Sequence, residues 1–257
     1  MNNIVSQKAF VGKNVTIKEG VIIEDNVVIG DGCYLDYNCI IRENVILGNN
    51  SYVGPACILG EYNSDFYKNY TAQKHPLLIG EHALIRSHSV IYGGSSIQND
   101  LQTGHRVTIR ENTSAGEHWR VGTLSDIQGD CVIGNYVNMH SNVHIAQGSK
   151  IGNYVWLFPY CITLNDPIPP SQYIKGVTIE DYAIIATGSI LLPGVTIGNN
   201  ALIAAGSLVT RPIEQHMMAV GSPAKPKCNI SEIANHDTGE PAYPWPQRFS
   251  KYMPWSD

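Results

Sequence analysis

Val15-Thr-Ile-Lys-Glu-Gly-Val-Ile-Ile-Glu-Asp-Asn-Val-Val-Ile-Gly-Asp-Gly-Cys-Tyr-Leu35 returns an aliphatic side chain at Ile17, Ile23, Ile29 and Leu35, one every six positions. A period of six is not helical, because 3.6 residues per turn carries every sixth residue around the cylinder instead of holding it on one face. Strand geometry does fit, since side chains there alternate between two directions. Working outward, the register extends from Val11 through Val53 and Leu59, resumes at Ile79 and runs through Ile109, Ile133 and Ile151 to Thr163, then resumes again from Ile179 to Val209. These are thirty hexads, apolar at every key position except Thr103 and Thr163. Two residues before each key position stands a side chain that shares its inward direction but sits nearer a corner. It is mostly small or β-branched: Val15, Cys33, Ser51, Ala83, Ser125, Ala201, with Leu77, Leu101 and Trp119 as the larger exceptions. Five of the six cysteines fall there, which makes them small buried thiols. Glycine often follows the aliphatic, as at Gly30, Gly48 and Gly134, and is read as supplying turn dihedrals. Three hexads close one triangular coil of eighteen residues, so thirty hexads predict ten coils whose strands pair in parallel.

Two breaks in the register, at about residues 61–76 and 165–176, follow the third hexad of a coil and therefore leave the prism along the same edge, five coils or roughly 24 Å apart. Long loops on a rigid scaffold usually carry function. Residues 1–211 are thus read as the coiled body, and 212–257 as a turn and short helix followed by an extended tail rich in proline and tryptophan. A net charge of -5 and few clustered cations argue against a nucleic-acid surface. No apolar run reaches membrane-spanning length, and the first ten residues do not resemble a leader, so the expectation is a cytoplasmic protein without a membrane partner. Stacking by eighteens puts His105 under Thr123 and Ser141, His140 over Gly122 and Gly104, and His144 over Asp126 and Thr108. A zinc site of His105, His140 and His144 is disfavoured because His105 and His140 occupy different hexad phases, and no metal is expected.

The whole pattern, over about residues 9 to 211, resembles the hexapeptide-repeat left-handed β-helix family, an exception to right-handed crossovers. Fold alone does not name a reaction. The stretches Ile85-Arg-Ser-His-Ser-Val-Ile-Tyr-Gly-Gly94, Leu101-Gln-Thr-Gly-His-Arg106, Val121-Gly-Thr-Leu-Ser125, His140-Ser-Asn-Val143 and Thr163-Leu-Asn-Asp-Pro-Ile-Pro-Pro-Ser171 are similar to segments of N-acyltransferases for dTDP- and UDP-linked amino sugars. The overall plan resembles that of the 3-amino-3,6-dideoxyhexose N-acetyltransferases of bacterial surface-glycan synthesis and their 4-amino relatives, and Val220-Gly-Ser-Pro-Ala-Lys225 is similar to a block shared more widely by CoA-dependent members.

That resemblance implies acetyl-CoA or another acyl-CoA as co-substrate, a nucleotide-linked amino sugar as acceptor, and a homotrimer whose assembly covers outward aromatics such as Tyr92, Tyr136, Tyr154, Trp156 and Phe158. His105 is the first candidate for contact with the sugar amine. Asp126 and His144 form a candidate carboxylate–imidazole pair, for the proton or for a sugar hydroxyl, and Glu111 is a further acid–base candidate. Some members of the class use no protein base. Arg86, Tyr92, Arg110, Thr123, His140 and Asn142 are the candidates for substrate contact. Asn165, Asp166, Lys175, Ala186, Thr187, Ala205, Arg211 and Lys225 are those for the acyl carrier, with the small residues giving pantetheine close approach. The aromatics of the first loop, Tyr62, Phe66, Tyr67 and Tyr70, offer stacking surfaces for a base. An unrelated acceptor, such as serine or a lipid A precursor, and a non-catalytic scaffold are the competing readings.

Overall fold

In the computed structural model, which describes residues 2–71 and 74–243, the chain is a left-handed parallel β-helix with three flat faces. The first face is an eleven-stranded sheet beginning at Ile4–Val5, the second has ten strands from Phe10–Val11, and the third has twelve from Thr16–Ile17. Most strands are only two residues long, because each hexad gives two residues to a face and the rest to a corner. Backbone amides bond to the coil above, as Thr108 N–H does to the Ser125 carbonyl at 3.1 Å and Gly104 N–H to Val121 at 2.6 Å. Ile23, Leu35, Ile85, Ile109, Ile127 and Leu157 are essentially sealed from solvent in one continuous core. Each such side chain contributes about 1.5–3 kcal/mol relative to exposure.

The corner chemistry differs from the sequence reading. The left-handed backbone conformation falls three residues after the aliphatic, at Asn14, Asn26, Asn38, Arg106, Asn142 and their equivalents, with φ between 48° and 63° at the non-glycine positions. Asparagine tolerates that region because its short polar side chain bonds locally. The glycine directly after the aliphatic serves another purpose: a Cβ on Gly122 would lie 2.3 Å from the carbonyl carbon of His140 in the next coil. Glycine at this position serves close stacking of coils; only Gly60, after Leu59, also takes a left-handed conformation, with φ of 79°.

Both insertions leave between the first and second faces, as the spacing predicted. Ile46 pairs with Leu78 where an unbroken coil would offer residue 64, so fourteen residues are interposed; Lys150 pairs with Thr178 instead of residue 168, so ten are. The tube is slightly longer than ten coils. It begins one hexad earlier, with Val5 paired to Ile23, and continues past Val209 through Ile213, which bridges to Ile197, and Ala219, which pairs with Ile203. The sequence hid this because the step from Val209 to Ile213 is four residues. Where a turn and short helix were expected after residue 212, the chain makes an antiparallel hairpin of Met217–Gly221 and Ala224–Asn229, with a single 3-10 turn at Ile230–Glu232. The hairpin closes the last edge of the third face. At the other end Ile4, Val5 and Phe10 are exposed. The expected extended tail starts at Pro241, which bridges antiparallel to Ala234, and from residue 244 onward it lies outside the described residues.

The five inward cysteines are buried and unbridged, and burial pushes the thiols of Cys39 and Cys161 up to about 12 and those of Cys57 and Cys131 up to about 11. They are inert fillers of the core.

Candidate functional site

On the third face, four positions eighteen residues apart form a column at the corner side: Arg86, Gly104, Gly122 and His140. The two glycines leave a depression floored by backbone, with Arg86 at one end and His140 at the other. A second column, Gln102, Arg120 and Asn138, borders it on the face, and a third, His105, Thr123 and Ser141, borders it at the corner. The resulting groove has a volume of about 460 Å³. Among the described residues no carboxylate lines it. The Arg86 guanidinium donates to the Thr103 carbonyl at 2.6 Å, His105 Nδ1 is 2.8 Å from the Ser87 hydroxyl, and Thr123 Oγ1 accepts the His105 N–H at 3.2 Å. Burial, and then the charge of Arg86, hold the pKa of Arg120 below its ordinary value.

Directly beyond His140 the same face turns apolar. Trp156, Phe158, Ile184, Leu202 and Tyr243, with the small Ala186, Thr187 and Ala205 between them, line a second groove of about 310 Å³. His140 stands at the junction. Its ring stacks on Phe158 at 4.7 Å and 15°, and lies 6.0 Å from the Trp156 ring. Burial lowers its pKa from the ordinary histidine value, and its sequestered Nε2 bonds to no other group of the described chain. A neutral imidazole is the protonation state that a proton acceptor needs.

The first face carries a separate cluster. Arg110 grips Glu111 through two hydrogen bonds, at 2.7 and 3.0 Å, reaches Gln128 at 3.3 Å, and lies over the Tyr92 ring. Asp126 pairs with His144, Oδ2 to Nδ1 3.4 Å, one strand spacing apart as the stacking arithmetic required, and also accepts from the Gln128 amide. Burial works against the Asp126 carboxylate, but the bonds from His144 and Gln128 outweigh it and its pKa lies below the usual value.

Of the residues singled out in the sequence, Arg86, His105, Thr123 and His140 therefore meet in one groove, and Ala186, Thr187 and Ala205 in the groove beside it. Tyr92, Arg110, Glu111, Asp126 and His144 meet on the other face. Asn142 is a corner residue with φ of 59°, outside the groove lining. Asn165 and Asp166 hold the second loop: the Asn165 carbonyl accepts the Lys175 N–H at 2.7 Å, and Asp166 accepts from the backbone of Ile168 and from both the backbone and hydroxyl of Ser171. The Lys175 side chain lies against Gly194. Arg211 and Lys225 are exposed and line neither groove. In the first loop Tyr62 and Phe66 stack on each other at 3.8 Å, while Tyr67 and Tyr70 are exposed. Tyr136 and Tyr154 stack in a corner ladder with His118 and Tyr182. Arg120, Gln102 and Asn138 were missed, although stacking by eighteens from Leu84 finds them. Among the described residues no three His, Cys, Asp or Glu side chains gather as metal ligands.

A triangular parallel tube of six-residue repeats defines a hexapeptide-repeat β-helix protein. The family described as bacterial transferase hexapeptide (six repeats) matches this chain at residues 4–37 and 176–211. No curated protein matches the sequence. Among solved structures, LpxA from Acinetobacter baumannii is 20% identical, with 89% of this chain and 72% of that one covered at a TM-score of 0.53. A UDP-N-acetylglucosamine acyltransferase from Campylobacter jejuni is 17% identical, covering 89% and 73% at 0.47. PerB from Caulobacter crescentus, solved with CoA and GDP-perosamine, is 18% identical, covering 69% and 57% at 0.31. The first likeness establishes the fold, and the other two add nothing to it.

Proposed function

We propose that this chain is an acyl-CoA-dependent N-acyltransferase that moves an acyl group, acetyl first among them, onto the amine of a dTDP- or UDP-linked amino deoxysugar for surface-glycan synthesis, as a cytoplasmic homotrimer. One observation carries the reading. A polar, cation-rich groove and an apolar groove share one face and meet at a neutral imidazole. That arrangement suits acyl transfer to an amine: a polar acceptor on one side, room for the pantetheine arm along small and apolar side chains on the other, and a proton acceptor between them. The amine attacks the thioester carbonyl, the C–N bond forms as the C–S bond breaks, the His140 imidazole takes the ammonium proton, and the departing thiolate recovers it. His105, held by Ser87, borders the acceptor side as a positioning group. The Asp126–His144 pair on the first face is the second candidate for the proton.

The test follows free thiol release from acetyl-CoA against a panel of dTDP- and UDP-linked amino sugars, with CoA and dTDP binding measured separately by calorimetry. Thiol release with nucleotide-linked amino deoxysugars is expected. Binding of CoA without dTDP would point to an unrelated acceptor, and binding of neither to a scaffold.

A further inference from the structure

We propose that Asn138 is a catalytic residue of the acyl transfer, its side-chain amide donating to the thioester carbonyl oxygen as that oxygen takes on negative charge. The inference rests on the acyl-transfer reading and names the group that holds the charge. Asn138 keeps only 9% of its surface exposed, yet its side chain makes no hydrogen bond among the described residues. Most other buried polar side chains of the tube are inward hydroxyls that close on a backbone carbonyl: Ser89 on Arg86 at 2.8 Å, Ser125 on His140 at 3.0 Å and Ser149 on Ala146 at 2.6 Å. Asparagines nearer the solvent find partners too, as Asn112 does on Asp130 and Asn49 on Glu81, both at 2.9 Å. An amide left unmet in so enclosed a place destabilises the folded chain, and a ligand that bonds to it removes that penalty.

The place of Asn138 on the face says which ligand atom. It stands two residues before His140, so strand alternation turns both side chains outward into the same groove, about 7 Å apart along the chain. In the register of the sheet Asn138 pairs with Arg120 on the polar side and with Trp156 on the apolar side. It therefore sits at the junction of the two grooves, where amine and thioester have to meet. The backbone of the floor is already engaged: the Gly104 amide donates to Val121 at 2.6 Å, and those of Gly122 and His140 to Met139 and Leu157 at 2.8 Å. Those three N–H groups hold the coils together, which leaves the new oxyanion to a side chain. Gln102, the other amide on this wall, is two coils or about 10 Å farther from the junction. In the step itself the amine lone pair forms the C–N bond and the carbonyl π pair moves onto oxygen, where the Asn138 N–H meets it. The pair returns as the C–S bond breaks, and the proton passes through His140 to the thiolate.

The test compares wild type, Asn138→Ala and Asn138→Asp by thiol release from acetyl-CoA, with the panel of nucleotide-linked amino sugars and with water alone, since hydrolysis passes through the same oxyanion. Asn138→Asp keeps the shape and removes the donor. Both variants are expected to lower kcat about 10²- to 10³-fold, the range of one lost oxyanion donor, with KM and the calorimetric affinity for CoA within about twofold. A raised KM with kcat unchanged overturns the proposal and makes Asn138 a ground-state contact of the acceptor. Thiol release that survives at the wild-type rate in both variants removes the assignment and leaves the acyl-transfer reading standing. A wild type that releases no thiol, with or without acceptor, ends both. Thermal unfolding is followed for each variant, and should Asn138→Ala not fold, Asn138→Asp is read alone.

Discussion

The groove on the third face and the cluster on the first are built from the same kinds of side chain, and they satisfy them in opposite ways. On the first face each charge closes on a neighbour: Arg110 on Glu111, and Asp126 on His144 and Gln128. On the third, Arg86, Arg120, His105 and His140 surround a bare backbone floor without a carboxylate among the described residues. The first-face charges largely offset one another, whereas the third-face groove keeps a net positive lining, which is the basis for proposing it as the acceptor's side.

The largest effect that bears on this contrast is expected from His140→Ala, which should lower turnover about 10²- to 10⁴-fold, the range of a lost general base, against a much smaller loss in His144→Ala. The reverse order would transfer the proton chemistry to the first face. The acid side belongs to the same test. Because the folded-state pKa of His140 is depressed, its neutral form is fully present above the ordinary value of about 6.5. Activity, and the stability contributed by this group, should fall as pH drops below that and through the folded-state pKa. An NMR titration of the ring with its midpoint above 6.5 would contradict this.

Next in size is Gly122→Ala. Its Cβ meets backbone, not a movable side-chain end, so thermal unfolding should report a loss of about 1–3 kcal/mol, as for overpacked sites. Gly206→Ala provides the counterpart: nothing lies within 4 Å of the added carbon, and only the φ of +69° opposes it. The smallest effect is expected from Glu111→Gln. Its pairing with Arg110 is partly solvated, and denaturant unfolding should show about 1 kcal/mol or less. A loss several times larger would mean that the first-face network organises the fold itself.

Most of the architecture was legible because one rule governs it. An aliphatic every six residues fixes inside, outside and coil length together, and Ile17 through Val209 obey it with two interruptions. The rule became unreadable at the four-residue step from Val209 to Ile213, so Ala219, six further on, and the closing hairpin are read from sequence as a turn and helix. The role of glycine was misread for a different reason: flanking sequence does not say whether a glycine relieves its own dihedrals or its neighbour's backbone. The candidate site was legible only along columns. Arithmetic in eighteens placed His140 over Gly122 and His144 over Asp126, but it could not show that the Arg86 column and the Arg120 column border the same hollow. That depends on how adjacent columns lean toward each other.

The interposed loops also make the edge between the first and second faces a place where chain length is free. Fourteen residues enter at one coil and ten at another, and in both cases the next strand returns to its proper partner. The tube keeps its count by stacking and ignores what happens off the edge. Foreign peptides of arbitrary length grafted at that edge, between Ile109 and Ser114 for instance, should be carried as passengers, whereas a single residue added within a face would throw every later coil out of phase.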